Sequence, residues 1–477
     1  MKLNEITSVL TDCKVYGSDD FEISSVTNNS RECVCGSLFV AVRGFQTDGH
    51  KYIPSAVENG ASAVICEEYM PEISCTQIVV ENSRRSEAIA AAVFYGFPTE
   101  KFKLIGVTGT NGKTTVTYLV KHILEFAGYK TAIIGTNQNM IGDEIFDAGR
   151  TTPDSIELQG LFSKIAEAKV DYCIMEVSSH ALELDRVYGC RYAVGAFTNL
   201  TQDHLDFHKT MDNYMAAKAK LFEISDVAVI NVDDSYGRII AEKCPCECVS
   251  YSAKGEGNLN CDNIRLMENG VNFEVYSREY FLGIPGEFSV YNALCAMGIA
   301  EALEVDSDLI QTALRSASGV KGRAEIVPTN TEYTILIDYA HTPDGIENIL
   351  SAVNGFCKGR VIIVFGCGGD RDSSKRPIMG EIAGKMADLC VVTSDNPRTE
   401  NPMKIISMVE DGVKKSGGEY VVIENRRDAI EYAINIACKG DCIVLAGKGH
   451  ETYQILNSGT IHFDEREVVK EILSKRR

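Results

Sequence analysis

An apolar run at residues 103–107 passes directly into Thr108-Gly109-Thr110-Asn111-Gly112-Lys113-Thr114-Thr115, and from there into a helical pattern over 116–126. A glycine-rich turn between a buried strand and a helix commits its surroundings to an α/β arrangement. It also builds a phosphate cradle, because backbone N–H groups at a positive helix end surround phosphate oxygens. Lys113 can reach the β- and γ-phosphates of a bound nucleotide, and the Thr114 hydroxyl can ligate Mg²⁺. Val107 stands at the first glycine position of the strict G-x-x-x-x-G-K-[ST] pattern, so the loop is a variant of it. A plain glycine turn beside a surface lysine is the competing reading. The strand–turn–helix context favours ATP, with Gly109, Thr110, Asn111, Gly112, Lys113, Thr114 and Thr115 as its contacts.

The chain has 477 residues, too many for one hydrophobic core. The sequence divides into three α/β segments. Residues 1–99 hold short strand patterns at 37–42, 63–66 and 77–80 and a helix pattern at 84–95, and Phe97-Pro98-Thr99 breaks the series. Residues 100–325 alternate apolar runs with helices, as a buried parallel sheet does, with a small hairpin around Glu268-Asn269-Gly270. Residues 326–477 restart the alternation at 333–337, 361–365, 389–393, 420–423 and 442–446, the mark of a doubly wound, Rossmann-like sheet.

A formal net charge of -20 argues against a general nucleic-acid surface. No stretch approaches the roughly 18 apolar residues that span a bilayer, and the N-terminus lacks a signal-peptide core. A cytoplasmic location is the default. The 17 cysteines fall mainly in apolar runs, as Cys66, Cys173, Cys390 and Cys442 do, where cysteine acts as a small buried hydrophobe. Cys33/Cys35 and Cys244/Cys246/Cys248 have C-x-C spacing with no histidine nearby, which is not a zinc pattern.

Ligands of α/β sheets gather at the carboxyl ends of strands. Glu176 follows the run at 171–175, and the run at 194–198 leads into Asn199-Leu200-Thr201-Gln202-Asp203-His204. Any one of these is more often a polar strand end. Three consecutive strand ends carrying the loop, a glutamate and Asp-His together suggest metal-assisted phosphate chemistry.

These residues resemble the Mur ligase family: Thr-Gly-Thr-Asn-Gly-Lys-Thr, Glu176-Val177-Ser178-Ser179-His180, and Asn-Leu-Thr-Gln-Asp-His-Leu-Asp. The resemblance extends to Asn29-Ser30-Arg31, Gly286–Asn292, Lys321–Glu325 and Asp338-Tyr339-Ala340-His341-Thr342-Pro343. It implies a uridine-nucleotide-binding N-terminal domain, a central ATPase and a C-terminal amino-acid domain. Ser30, Phe45, Gln46 and Thr47 would hold the UDP part, and Thr151, Thr152, Ser178 and Arg186 the muramoyl-dipeptide. Asn292, Arg323 and Asp338 would line the ATP. Lys113, Glu176, His204 and Lys218 would be catalytic, with Thr114, Glu176, His204 and Lys218 around two Mg²⁺ ions. Leu184 and Ser289 depart from residues found in better-known members and are left out.

Read by itself, Lys218 lies in a helical stretch and would be a solvated lysine. The resemblance implies instead a CO2-derived carbamate on it, which burial would promote by lowering the amine's pKa. The substrates implied are UDP-N-acetylmuramoyl-L-Ala-D-Glu and meso-diaminopimelate, acted on by a monomer. Diaminopimelate has a carboxylate that lysine lacks. Arg371 and Arg398, in loops at strand ends, supply guanidinium forks for it. The resemblance adds Asp395, Asn396, Pro397, Gly447 and Glu451 to that site. The alternatives are L-lysine as the amine, a folylpolyglutamate-synthase-like ligase, or a non-catalytic ATP switch, which would release ADP regardless of the amine.

Overall fold

The computed structural model describes residues 1–44, 47–146, 148–267, 269–317 and 319–475. Phe45 and Gln46, expected in the UDP site, lie outside the described residues. The chain packs as two compact units. One comprises Met1–Thr108, Gly128–Gly195 and Ala217–Val227, the other Gly109–Ala127, Ala196–Ala216 and Ala228–Arg477.

The first unit opens with helix Leu3–Thr7, whose Leu3 and Ile6 are buried, while Leu10 continues the same apolar face past the helix end. A five-stranded sheet follows in the order Lys14–Tyr16, Thr76–Val79, Ala61–Cys66, Ser37–Val40, Ser25–Thr27, parallel except at its first edge. Strand residues alternate faces, as the period of two requires. Leu38, Val40, Ala63, Ile65 and Ile78 join one core, and Phe39, Val64 and Cys66 the other. The same unit holds a parallel set in which Tyr172–Glu176 pairs with Lys103–Thr108 and Thr131–Ile134. Leu104, Ala132, Ile134, Cys173 and Met175 pack with Leu158, Phe162 and Ile165 of helix Ser155–Glu167. Glu176 is the last residue of its strand rather than the first beyond it.

Helix Ser83–Phe94 buries a carboxylate in this unit. Glu87 is 6% exposed and accepts a hydrogen bond from Asn28 Nδ2 at 2.7 Å. Burial pushes its carboxyl up to about 7, although the Asn28 bond pulls the other way. An acid whose pKa is raised by folding stabilises the fold fully below its unfolded pKa of about 4.3, and that contribution is lost as pH rises through about 7. Glu87→Gln keeps an acceptor for Asn28 and removes the titration. The variant should therefore be more stable than the parent at pH 8, by about 4 kcal/mol at most, and the gap should close as pH falls to about 4, below the unfolded value. Denaturant unfolding at the two pH values checks this; a constant difference would contradict it.

In the second unit the turn Gly109–Gly112 leads into helix Lys113–Phe126, whose Val116, Leu119, Val120, Ile123 and Leu124 are buried at helical spacing. Helix Glu287–Ala302 packs on it and is buried along most of its length. The expected hairpin is present as Leu259–Met267 against Gly270–Val275, with Met267 opposite Gly270, and Glu268 lies outside the described residues. A third antiparallel strand, Arg278–Leu282, extends it. The C-terminal sheet has the order Glu325–Ile326, Thr334–Asp338, Cys442–Ala446, Val361–Phe365, Leu389–Val392, Tyr420–Val422, parallel except at its first edge. Ile335, Ile337, Ile362, Val364, Ile443 and Leu445 form its core with Ala429, Ile430 and Val468 of flanking helices. The fold is α/β as the patterns predict. Among the described residues no helix is long and apolar enough to cross a membrane.

Candidate active site

Glycine is required at the phosphate loop for two reasons. Gly109 and Gly112 have φ of 146° and 87°, which side chains disfavour. A Cβ on Gly109 would also fall 1.9 Å from Thr198 Oγ1, and one on Gly112 2.5 Å from Asn292 Oδ1. The loop is tied down by the segment after strand Tyr192–Phe197. Thr198 Oγ1 donates to Asn111 O at 2.6 Å, Asn111 N donates to Asn199 Oδ1 at 2.9 Å, and Thr201 N donates to Thr110 Oγ1 at 3.0 Å. Asn111 Nδ2 donates to Asp344 Oδ2 at 2.5 Å. Lys113 Nζ arches back over the turn to Gly109 O at 3.0 Å and Thr110 O at 2.8 Å.

A cavity of about 370 Å³ opens beside this loop. Asn111, Gly112, Thr115, Asn292, Arg323 and Asp338 all line it, so six expected ATP residues meet there. Arg323 Nη2 donates to Thr114 Oγ1 at 3.1 Å, and its guanidinium lies over the Tyr339 ring at 4.7 Å. Arg323 Nε is buried without a hydrogen-bond partner among the described residues. A buried orphan donor on a cation next to a phosphate loop suits an anionic ligand. Asp338 is committed inward, accepting from Ala324 N at 2.7 Å and Ala340 N at 2.8 Å. Ser289 spends its hydroxyl on Pro285 O.

His204 has a left-handed φ of 54° and a half-exposed ring. Its neighbour Asp203 is buried and lies 3.8 Å from Lys375 Nζ. Burial alone would raise Asp203, but the charges of His204, Lys375 and His341 together hold it below the usual carboxylate range. Desolvation pushes the nearby His341 imidazole down to about 4, helped by Lys375.

The first unit assembles a second set. Glu176 accepts from Thr136 N and Thr136 Oγ1, both at 2.9 Å, and Thr136 Oγ1 also meets Thr151 Oγ1 at 3.0 Å. Thr152 Oγ1 bridges Glu176 O at 2.8 Å and Ser178 N at 3.0 Å. Arg186 donates to Thr152 O at 3.0 Å and pairs with Asp154 at 3.0 Å. Thr151, Thr152, Ser178 and Arg186 therefore form one connected patch around Glu176. Lys218, in helix Met211–Glu223, is 1% exposed, so the solvated-lysine reading is wrong. Ser30 and Thr47 lie in the N-terminal part, with Ser30 O accepting from Asn59 and Thr47 Oγ1 meeting Tyr52 OH at 3.3 Å.

In the C-terminal sheet, Asp395-Asn396-Pro397-Arg398 follows strand Leu389–Val392 and faces the Gly447–Glu451 loop. Asn396 bonds within the protein through both ends of its amide: Nδ2 donates to Glu451 at 2.9 Å, and Oδ1 accepts from Ile455 N at 2.9 Å and Lys448 Nζ at 3.2 Å. Lys448, fully buried, also pairs with Glu451 at 2.8 Å. Arg398 lies across the Gly368–Gly369 turn, donating to Gly369 O at 2.8 Å, and has a left-handed φ of 53°. Arg371 is exposed and donates to Asp370 O. Left-handed backbone at both Arg398 and Asp370 is the kind of local strain that collects at ligand sites.

Sequence reasoning missed Thr198, Asn199, Thr136, Lys375 and Lys448. Thr198 ends the run at 194–198, Asn199 opens the segment after it and Lys448 follows Gly447, whereas Thr136 and Lys375 carry no local signal.

A glycine phosphate loop, a cavity with an orphan guanidinium N–H and a separate Rossmann-like sheet define a nucleotide-dependent α/β enzyme. Three family models match in series: "Mur ligase family, catalytic domain" over 22–95, "Mur ligase middle domain" over 107–300 and "Mur ligase, glutamate ligase domain" over 322–449. The chain belongs to the Mur ligase family and is an ATP-dependent, amide-bond-forming ligase. It is 47% identical over 464 residues to the UDP-N-acetylmuramoyl-L-alanyl-D-glutamate–2,6-diaminopimelate ligase of Clostridium botulinum, covering 95% of this chain and 96% of that one. It is 48% identical over 468 residues to the ligase of the same name from Caldanaerobacter subterraneus subsp. tengcongensis, covering 97% of each. A solved structure of a ligase of that name superposes with a TM-score of 0.71 at 30% identity, over 100% of this chain and 99% of that one. Mycobacterium tuberculosis folylpolyglutamate synthase shares the fold, with a TM-score of 0.62 at 19% identity, over 76% of this chain and 92% of that one.

Proposed function

We propose that the chain adds meso-diaminopimelate to the D-Glu γ-carboxylate of UDP-N-acetylmuramoyl-L-Ala-D-Glu, as a cytoplasmic monomer in peptidoglycan precursor synthesis. The observation that carries this reading is near-full-length similarity to ligases of that name. We draw the domains at 1–99, 100–325 and 326–477. The first unit holds every described residue assigned to the nucleotide-sugar peptide: Ser30, Thr47, Thr151, Thr152, Ser178 and Arg186. The second unit holds those assigned to ATP and to the amine.

A carboxylate does not condense with an amine in water, because its oxyanion is a poor leaving group. Transfer of the γ-phosphoryl group to it gives an acyl phosphate that the amine attacks. Phosphoryl transfer depends on positioning and charge neutralisation, which Lys113 and Arg323 supply. Magnesium, when bound, would neutralise further phosphate charge. Thr114, Glu176, His204 and a carbamate on Lys218 are the groups proposed to hold it. Glu176 has oxygen donors already fixed by Thr136, and Lys218 has the burial that a carbamate needs.

ADP release tests the ligase reading against an ATP switch. ADP should appear with diaminopimelate and stay at background without it; release at the same rate in both would reject the proposal. For Lys218→Ala, activity should fall by about 100-fold, the usual loss when a group orienting a metal is removed. The carbonyl ¹³C signal seen on equilibrating the parent with labelled bicarbonate should be absent from the variant. Full activity, or an unchanged signal, would remove Lys218 from the mechanism.

A further inference from the structure

Cysteine recurs at alternate positions after helix Ser235–Glu242, at Cys244, Cys246 and Cys248, the last of them in strand Glu247–Ser252. The Cys244 and Cys246 sulfurs are in contact at 3.6 Å, and Cys248 lies near enough for Cys244 to influence its thiol. All three are half-buried, and Cys248 lines an open cavity with Arg238, Glu242 and Ser250.

We propose that Cys244 and Cys246 form a covalent modification site, a dithiol that closes to an internal disulfide by exchange with a small disulfide such as oxidised glutathione. One thiolate attacks the reagent disulfide, expels a small thiolate and leaves a mixed disulfide. The neighbouring thiol, as it loses its proton, attacks the protein sulfur of that adduct. The internal S–S bond forms and the second small thiol leaves. Two protein thiols thus give up two electrons and two protons, and one small disulfide becomes two small thiols.

Three features carry the assignment. The sulfurs need to approach by only about 1.5 Å to reach bonding distance. Cys244 and Cys246 lie outside regular helix and strand, so no ladder of hydrogen bonds resists that approach. Pro245 stands between them, and its fixed φ limits the conformations lost on ring closure. The chain carries its own control in Cys33-Val34-Cys35, which has the same spacing. There Cys33 is buried with its sulfur on Asn29 O, while Cys35 is exposed. Spacing alone does not bring two thiols together. Burial and the neighbouring sulfurs push Cys246 up to about 12 and Cys248 up to about 11, so exchange is slow at neutral pH and is best driven at alkaline pH.

The test exposes the full chain to oxidised glutathione at pH 8.5, quenches with acid and alkylates remaining thiols in denaturant. Peptides are then mapped by mass without reduction. The peptide carrying residues 244–248 should be lighter by two hydrogens, unalkylated at Cys244 and Cys246 and alkylated at Cys248, while Cys33 and Cys35 are both alkylated. Cys246→Ser should instead trap glutathione on Cys244. Full alkylation of Cys244 and Cys246, a bond to Cys248 in the parent, or oxidation of Cys33/Cys35 at an equal rate would each overturn the proposal.

Discussion

Lys113→Ala is expected to lower amide formation by about a thousandfold, the scale lost when a positioned charge on a transferring phosphoryl group is removed. Lys113 is the first residue of its helix and holds its ammonium over the loop against the carbonyls of Gly109 and Thr110. Those carbonyls keep the cation beside the turn, where a bound triphosphate would meet it. Alanine is the best helix former and touches none of the loop's ties to Thr198, Asn199 and Thr201, so folding should be unaffected. Lys113→Arg keeps charge but enlarges the head group inside a turn whose glycines tolerate no added atom, and it should restore little. Steady-state rates with a denaturation midpoint for each variant check this. An alanine variant within about tenfold of the parent would remove Lys113 from the reaction.

Arg398→Ala should separate the two candidate amines. On the proposed function the guanidinium pairs with the carboxylate that diaminopimelate has and lysine lacks. Truncating one partner of a close charged pair costs about 2–5 kcal/mol. The variant's kcat/KM should therefore fall by about 100-fold or more for diaminopimelate and only a few-fold for lysine. The structure supports a prepared fork: Arg398 is pinned to Gly369 O across a glycine turn and accepts a left-handed backbone to stay there. Its neighbour Asn396 is locked by Glu451, Lys448 and Ile455, so the loop does not depend on Arg398 for its shape. Equal losses for the two amines would reject the role.

Much of this was legible because strands and glycine turns carry local signals. Apolar runs placed Lys103–Thr108, Tyr172–Glu176 and Tyr192–Phe197 to within two residues, and Val361–Phe365 and Cys442–Ala446 fell where the runs placed them, whereas Asn139–Ile141, Glu144–Phe146, Glu247–Ser252 and Arg278–Leu282 carried no such run. The phosphate loop was legible because its glycines meet a steric demand that sequence spacing records. Lys218 was misread from its own helix, since burial depends on what packs against that helix and not on its periodicity. Thr136 and Lys375 went unseen for the same reason. Thr136 matters only because folding brings it to Glu176, 40 residues on, and Lys375 only because it reaches Asp203. Motifs locate loops and do not say which way each side chain turns.

The most direct test is the product itself. Purified protein is incubated with UDP-N-acetylmuramoyl-L-Ala-D-Glu, ATP and either meso-diaminopimelate or L-lysine, and the nucleotide fraction is weighed by mass spectrometry. The prediction is a UDP-muramoyl-tripeptide carrying diaminopimelate, one ADP per amide formed, and little lysine product. Unchanged dipeptide from protein that still binds ATP, or lysine taken up equally well, would contradict it.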